Sequence, residues 1–317
     1  MKVAVCGLWH VHAKDYLKAA LREPTAEVVG VWDENPQFCA DFEKEYGVKV
    51  FDSLEALLAS DAEGVIVTTA TNAHPEIICK IADAGKAIFT EKVLALRNED
   101  ADKIEEAVNR NGVTFVISLP RKYEVGPQTV KAVVDTGELG KLNYLRFRNC
   151  HTGSIDNWLP PHFYDEELCG GGAMIDLGAH GMYMTDWILG VPTSFTSVFK
   201  TACSNEAVPN TDKVEDNAIT MMGFDDGAIA LNETGFVSRG YPMSLEVGGE
   251  DGWVRFDNTG VHKSTKATGL KYTEVPMEPA KLSPIDQFLT GNILPGCGMT
   301  EAKHLTYMMV EAYRYKV

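Results

Sequence analysis

A repeated alternation of short apolar runs with helix-compatible stretches governs the first part of the chain and leaves few folds open. The runs are Lys2–Gly7, Glu27–Asp33, Gly64–Thr69, Ala87–Thr90 and Val113–Ile117. They are rich in valine and isoleucine, as expected of parallel strands buried on both faces. A shorter strand is expected at Val48–Phe51. Helical segments are expected at Ala13–Arg22 and Phe38–Tyr46, from Ser53 as a cap, from about Pro75 to Ala84, and from Asn98 to Arg110. Such β–α alternation over about 120 residues specifies a doubly wound parallel sheet.

Sheets of this kind seat ligands at the carboxyl ends of their strands. The first of those ends reads Gly7-Leu-Trp9-His10-Val-His12, and the second strand closes on Asp33. Strand, loop, helix, strand and acid, with the acid about twenty residues beyond the loop, is the order of a dinucleotide-binding unit, where the acid bonds the ribose 2′-hydroxyl. Gly7 supplies the first glycine of G-x-G-x-x-G, whereas Trp9 and His12 occupy the second and third positions. On this loop alone, an α/β domain that binds no nucleotide stays open. A second polar loop, Ala70–Pro75, follows the Gly64–Thr69 run.

The pattern changes after Pro120. One helix is expected over Val125–Thr136, then a two-residue alternation over Leu142–Cys150, with Leu145 and Phe147 on one face and Arg146 and Arg148 on the other. Residues 151–169 lack periodicity. Gly170-Gly-Gly172 then opens an apolar helical run that stops at Gly190 and Pro192. Asp176 and His180 stand at i and i+4 on it, a spacing that puts both on one helix face and makes an acid–base pair or, equally, a helix with one buried histidine. Strands are expected at Ser194–Ala202, Asn217–Phe224, Ala228–Phe236, Met243–Val247 and Trp253–Phe256, some separated by glycine turns, and a last helix at Thr300–Tyr313. The expected architecture is therefore α/β: a Rossmann-type domain over 1–120 and an α+β domain with an open, mostly antiparallel sheet over 121–317.

Charge narrows the partners. Acidic residues number 45 against 29 basic ones, a formal charge of −16. Such a surface repels nucleic acid and anionic lipid, so neither is an expected partner. The seven cysteines are scattered without a C-x-x-C pair, which argues against a disulfide framework or zinc ribbon and for a reducing cytoplasm. No apolar run reaches membrane-spanning length, and His10 and His12 interrupt the amino-terminal apolar residues too early for a signal peptide. His10 and His12 have no third ligand clustered with them in sequence, so no metal is expected.

Three pieces together resemble the glucose–fructose oxidoreductase, inositol dehydrogenase and rhizopine-catabolism oxidoreductase family. They are the amino-terminal unit, Ala84-Gly-Lys86-Ala-Ile-Phe-Thr-Glu91-Lys92, and Gly170-Gly-Gly172 with Asp176 and His180. The second matches the family's A-G-K-h-V-h-x-E-K-P through Lys92, with Val93 in place of the proline. The third matches G-G-G-x-x-x-D-x-G-x-H, and Val65–His74 resembles V-x-I-x-T-P-N-x-x-H with Ala70 in place of proline. Glu215-Asp216-Asn217-Ala218 also looks like the family's sheet, while Pro120–Tyr123 stands where N-R-R-F is common.

The resemblance implies an NAD-dependent oxidoreductase acting on a secondary alcohol of a sugar, polyol or related compound. Lys92, Asp176 and His180 are its implied catalytic set. Gly7, Trp9, His10, Asp33, Thr69, Asn72, His74, Glu91 and Lys92 are the implied cofactor contacts. Arg121, Lys122, Tyr123, His151, Asn157, Trp158, His162 and Tyr164 are substrate candidates, since aromatic faces with polar tips suit sugars. Asp33 favours NAD over NADP, because a carboxylate repels a 2′-phosphate. A homodimer or homotetramer through the carboxyl-terminal sheet is implied. Two other functions stay open: NAD-dependent glycoside cleavage through transient oxidation, and a nucleotide-binding sensor without turnover.

Overall fold

The computed structural model describes residues 1–203, 213–240 and 243–317. They form two compact units, Met1–Ser118 with Leu282–Thr306, and Leu119–Lys281 with Tyr307–Val317.

The first unit runs β1 (Lys2–Cys6), α1 (Ala13–Arg22), β2 (Glu27–Trp32), α2 (Pro36–Tyr46), α3 (Leu54–Leu58), β3 (Gly64–Val67), α4 (His74–Asp83), β4 (Ala87–Thr90), α5 (Asn98–Asn111) and β5 (Phe115–Ile117). The strands are parallel, in the order β2-β1-β3-β4-β5. Their central residues, among them Val3, Val5, Val65, Ile66, Ile88 and Phe89, are fully buried, which is why the runs are apolar on both faces. Helix starts follow local chemistry: the Asn35 side chain accepts from Gln37 N with Pro36 in the first turn, and Ser53 accepts from Ala56 N.

The strand expected at Val48–Phe51 is reduced to a single bridge between Val31 and Val50. Two backbone bonds, Val31 N to Lys49 O and Phe51 N to Val31 O, form before Ser53 turns the chain into α3.

The order reverses between β1 and β3, so the loops after these strands flank the topological switch point, where doubly wound sheets bind ligands. There Gly7 adopts φ +84°, and a Cβ on it would come within 3 Å of the Thr69 backbone. The two loops are joined by His10 N to Thr68 O at 3.1 Å and Thr68 Oγ1 to Gly7 O at 2.5 Å.

The second unit contains α6 (Val125–Asp135), β6 (Leu142–Cys150), α7 (Glu166–Cys169), α8 (Ala179–Leu189), β7 (Ser194–Lys200), β8 (Asn217–Gly223), β9 (Ile229–Gly235), β10 (Met243–Gly249), β11 (Gly252–Asp257), β12 (Gly260–Thr265) and β13 (Thr273–Glu274). The last two strands were not expected from sequence. The sheet order is β13-β12-β11-β10-β6-β9-β8-β7, antiparallel except for the β6–β9 pair. Alternate residues such as Leu145, Phe147, Met222, Ala230, Leu245 and Val247 are buried on its inner face.

The helix expected over 173–189 is not one α-helix. Met174–Gly178 is wound as a π-helix before α8 begins at Ala179. Asp176 and His180 therefore do not share the α-helical i, i+4 register read from their spacing. Side chains of β9 meet the turn: Asn232 Nδ2 donates to Gly178 O at 2.7 Å, and Thr234 Oγ1 to Ala173 O at 3.2 Å. A Cβ on Gly181 would clash with the Asn232 amide, so the glycine permits this approach.

Residues 282–306, expected in the second domain, return to the first unit. Helix α9 (Pro284–Thr290) buries Phe288, whose ring lies 5.8 Å from that of Phe89, and Cys297 O accepts from Ile117 N at 2.9 Å. Helix α10 (Met299–Arg314) follows. Among the described residues, no helix is long and apolar enough to cross a membrane.

The crowding at the switch point yields a direct expectation. Gly7→Ala combines a left-handed backbone with a clash against Thr69, so it should destabilise the chain by about 1–3 kcal/mol. A lowered midpoint in urea unfolding checks this.

Candidate active site

In the first unit the cofactor candidates gather around the ends of β1, β2, β3 and β4. Asp33, nearly buried, spans two turns: Oδ2 accepts from Leu8 N at 2.5 Å and Oδ1 from Asn35 N at 2.7 Å. Burial pushes its carboxyl above the ordinary range despite these donors. A carboxylate has about four acceptor sites, so capacity remains for a ribose hydroxyl. Thr69 follows β3, and its Oγ1 is buried without a hydrogen-bond partner. Asn72 is exposed on the 3₁₀ turn Thr71–Ala73.

His74 is 1% exposed. Its Nδ1 lies 3.0 Å from Val93 O and 3.2 Å from Leu94 O, so it carries the proton and donates to these carbonyls. It thus latches α4 to the segment that follows Lys92. Burial pushes the imidazole pKa down, against the pull of those carbonyls. Lys92 is itself buried, and its peptide bond to Val93 is cis. The motif's other lysine, Lys86, ties two backbone carbonyls: Nζ donates to Ser60 O at 3.0 Å and Ala62 O at 2.6 Å.

Glu91 is the centre of this unit's polar network and is 1% exposed. Oε1 accepts from His12 Nδ1 at 2.8 Å and from the Tyr16 hydroxyl, and Oε2 from Lys92 N at 2.9 Å. Tyr16 OH also meets Ser118 Oγ at 2.8 Å. His10 Nδ1 lies 3.8 Å from Glu91 Oε1. Burial alone would raise the carboxyl, but His10, His12 and Lys92 hold it well below the usual range. The third group beside His10 and His12, unseen in the sequence, is therefore Glu91. Trp9 precedes this pair, its ring centroid 6.1 Å from that of His10.

In the second unit, His180 is buried and its Nδ1 lies 2.7 Å from the Tyr183 hydroxyl. Tyr183 OH also accepts from Arg121 N at 3.1 Å. The Nδ1–hydroxyl bond can run in either direction, according to the imidazole tautomer, and in both cases it fixes the ring. Tyr183 was missed from sequence, although its i+3 position on the same helix was a usable signal.

Asp176 lies close enough to His151 to raise its pKa, but burial dominates and holds that imidazole down. His151 stacks on Phe236 at 4.8 Å and 8°, with Trp158 4.5 Å away on a tilted plane. Trp158 is 54% exposed, an aromatic face open to a ligand. The other substrate candidates differ. Tyr123 and Tyr164 are buried, the latter bonded to Ser154 Oγ at 2.9 Å. Lys122 is buried 5.7 Å from the Trp187 ring, Arg121 pairs with Glu124, and Asn157 takes φ +52°. His162 lies in the 3₁₀ turn Pro161–Tyr164.

Glu215 is the second residue that sequence reasoning gave no role. Its Oε1 accepts from Gly172 N at 3.0 Å, Met174 N at 2.9 Å and Tyr313 OH at 2.6 Å. A carboxylate thus anchors the amino-terminal end of the π turn that carries Asp176. Burial raises its pKa, the donors only partly offsetting that cost.

Comparison with known proteins agrees with this architecture. Residues 1–119 match the oxidoreductase family with an NAD-binding Rossmann fold, and residues 128–255 match the GFO/IDH/MocA C-terminal domain. The chain belongs to this GFO/IDH/MocA oxidoreductase family. It is 28% identical over 260 residues to a scyllo-inositol 2-dehydrogenase (NAD(+)) of Bacillus subtilis, covering 80% of this chain and 73% of that protein. It is 26% identical over 248 residues to a D-glucoside 3-dehydrogenase of Escherichia coli, covering 74% and 70%. Its fold is similar to that of the aldose-aldose oxidoreductase of Caulobacter crescentus complexed with glycerol, with TM-score 0.81, 19% identity and coverage of 99% and 97%.

The buried His74 gives a pH expectation. Its folded-state pKa is depressed, so below about 6.5 the unfolded chain binds the proton that the folded chain excludes. Stability should fall as pH drops from about 7.5 to 5.5 and be insensitive to this group above that window. Urea midpoints for wild type and His74→Asn should diverge accordingly, with the variant showing the flatter profile.

Proposed function

We propose that the chain transfers a hydride between a secondary alcohol carbon of a sugar or polyol and NAD, with Lys92, Asp176 and His180 as the reacting set. The observation that carries the reading is the anchored imidazole: a buried His180 is held through Nδ1 by the Tyr183 hydroxyl. The names of the inositol and glucoside dehydrogenases among its relatives favour ring alcohols as the substrate class.

The first unit's residues fit the cofactor. Thr69 Oγ1 is a buried hydroxyl with no partner at the switch point, Gly7 leaves the backbone approachable, and Asp33 retains acceptor capacity. Bound NAD supplies the hydride acceptor. Gly7, Trp9, His10, Thr69, Asn72 and Asp33 would hold it, and the Asp33 carboxylate disfavours a 2′-phosphate. His74 acts one step back, fixing the backbone after Lys92.

The residues of this chain then handle the proton and the charge. The alcohol proton passes to the His180 imidazole as the hydride leaves carbon. Lys92 Nζ stabilises negative charge on the alcohol oxygen. Asp176 orients the substrate hydroxyls and, through its field, His151. Trp158 offers its exposed face to the C–H face of the sugar ring.

Two coarser readings accompany this one. The outer sheet face carries exposed Val198, Ile219, Met221 and Ile229 on adjacent strands, which supports pairing of two copies through the sheet as a dimer or tetramer. All seven cysteines are free thiols, which supports the cytoplasm as the setting.

A panel of inositols, sugars and glycosides assayed for NADH formation tests the reaction; aglycone release without net NADH would overturn it. His180→Ala should lower kcat/KM by about 10²–10⁴. Tyr183→Phe removes the hydroxyl's bonds to His180 Nδ1 and Arg121 N and, through loss of the His180 contact, should cost turnover about 1 kcal/mol, roughly fivefold. Lys92→Ala should reduce turnover while NAD binding, read by calorimetry, persists. Light scattering should return a mass above the 34.8 kDa of one chain; a monomer at micromolar concentration would remove the sheet-pairing reading.

A further inference from the structure

We propose that His10, His12 and Glu91 form a binding site for a divalent transition-metal ion of the zinc type, at a loop that shares His10 with the cofactor reading above. Their ligand atoms all lie within 4.8 Å of one another. Glu91 Oε1 is 2.8 Å from His12 Nδ1 and 3.8 Å from His10 Nδ1, and the two imidazole centroids are 4.7 Å apart. Ligands about 2.0–2.1 Å from a tetrahedral zinc sit roughly 3.3 Å from one another, so the observed separations straddle the bound geometry. Small rotations of the two rings close the set.

Chemistry selects the ion class. Two imidazole nitrogens and one carboxylate suit zinc, cobalt or nickel, whereas magnesium and calcium take oxygen sets. Three protein ligands leave a fourth position for an oxygen donor, as in zinc sites that handle substrate. The surroundings are those of a supported site. The Glu91 carboxylate is oriented by the Tyr16 hydroxyl, itself on Ser118, and by Lys92 N–H. The His12 side chain is 43% exposed and gives an ion access from solvent, while His10 and Glu91 are buried.

Binding exchanges bonds in a balanced way. The Nδ1 proton that His12 now shares with Glu91 moves to Nε2 of the neutral ring, or to solvent from the imidazolium, and the metal takes its place. His10 Nδ1 gives up the backbone N–H of His12, at 3.2 Å, for the ion. The buried carboxylate also explains why a cation belongs here. A charge removed from water needs a compensating partner, and a metal provides one at pH values where both imidazoles are neutral.

The test uses the full-length chain, stripped with chelator and titrated with Zn²⁺ alone by calorimetry in buffers of different ionisation enthalpy. Saturable binding of one ion per chain is expected, with proton release that grows as pH falls into the imidazolium range, and with four-coordinate visible absorption when Co²⁺ replaces Zn²⁺. His12→Ala and His10→Ala should abolish this binding. Tyr16→Phe should weaken it about 10–100-fold, the scale for a group that orients a ligand. No saturable binding would overturn the proposal and leave the cluster as an imidazolium–carboxylate pair. Equal binding by wild type and His12→Ala would overturn it as well, assigning the ion to other side chains. His12 is half-exposed, so its variant retains the fold even if His10→Ala does not; circular dichroism verifies this. Loss of the dehydrogenase reading would leave the titration unchanged.

Discussion

The first unit depends on one buried carboxylate. Glu91 sits at the end of β4 and accepts hydrogen bonds from the loop after β1, from α1 and from its own neighbour Lys92. These donors belong to separate segments, so the carboxylate fixes their mutual positions at the carboxyl edge of the sheet. Leaving such a group unpaired in the core costs several kcal/mol, which makes the arrangement all-or-none rather than adjustable. Lys92 inherits its position from this bond on one side and from the His74 latch on Val93 and Leu94 on the other.

The second unit solves a similar problem with different electrostatics. Glu215 is also buried, and it accepts two backbone N–H groups and, like Glu91, a tyrosine hydroxyl. Its surroundings supply neutral donors, so burial dominates and its pKa rises. Around Glu91 the two imidazoles and Lys92 reverse that balance, and its pKa falls. The contrast separates what the two carboxylates do. Glu215 orders the backbone that leads into Asp176, where dipoles suffice, whereas Glu91 gathers groups that carry or take up positive charge.

Most of the fold was legible because its signals are local. Buried parallel strands need continuous apolar runs, and β1, β3 and β4 have little else. The sheet of the second unit showed itself by alternation and glycine turns. What escaped was decided by contacts distant in sequence. The partners of Glu91 are 79 and 75 residues away, so neither His12 nor Tyr16 announces its role. The π turn at Met174–Gly178 reads as ordinary helix until Asn232 and Thr234 of β9 are placed against its carbonyls. Helix α9 is only seven residues long, and its membership of the first unit rests on Phe288 meeting Phe89. Lys86 shows the reverse: the motif was legible, but its contacts with Ser60 O and Ala62 O make it structural rather than reactive.

The degenerate glycine loop follows from the same accounting. Of the three glycines in G-x-G-x-x-G, only the first is demanded here by backbone conformation: Gly7 has φ +84°, and among the described residues the non-glycine positive φ values fall at Asn157 and Leu270. His12 has φ −79°, open to any residue, so a side chain at the start of α1 carries no conformational strain. The loop is held by bonds instead: Leu8 N on Asp33, His10 N on Thr68 O, and His12 N on His10 Nδ1. Glycine at position 12, as the pattern asks, would keep the backbone bonds but lose the imidazole that donates to Glu91 and helps offset its buried charge. The departure from the glycine pattern and the burial of a carboxylate at the end of β4 are therefore two halves of one solution, each of which would be unfavourable without the other.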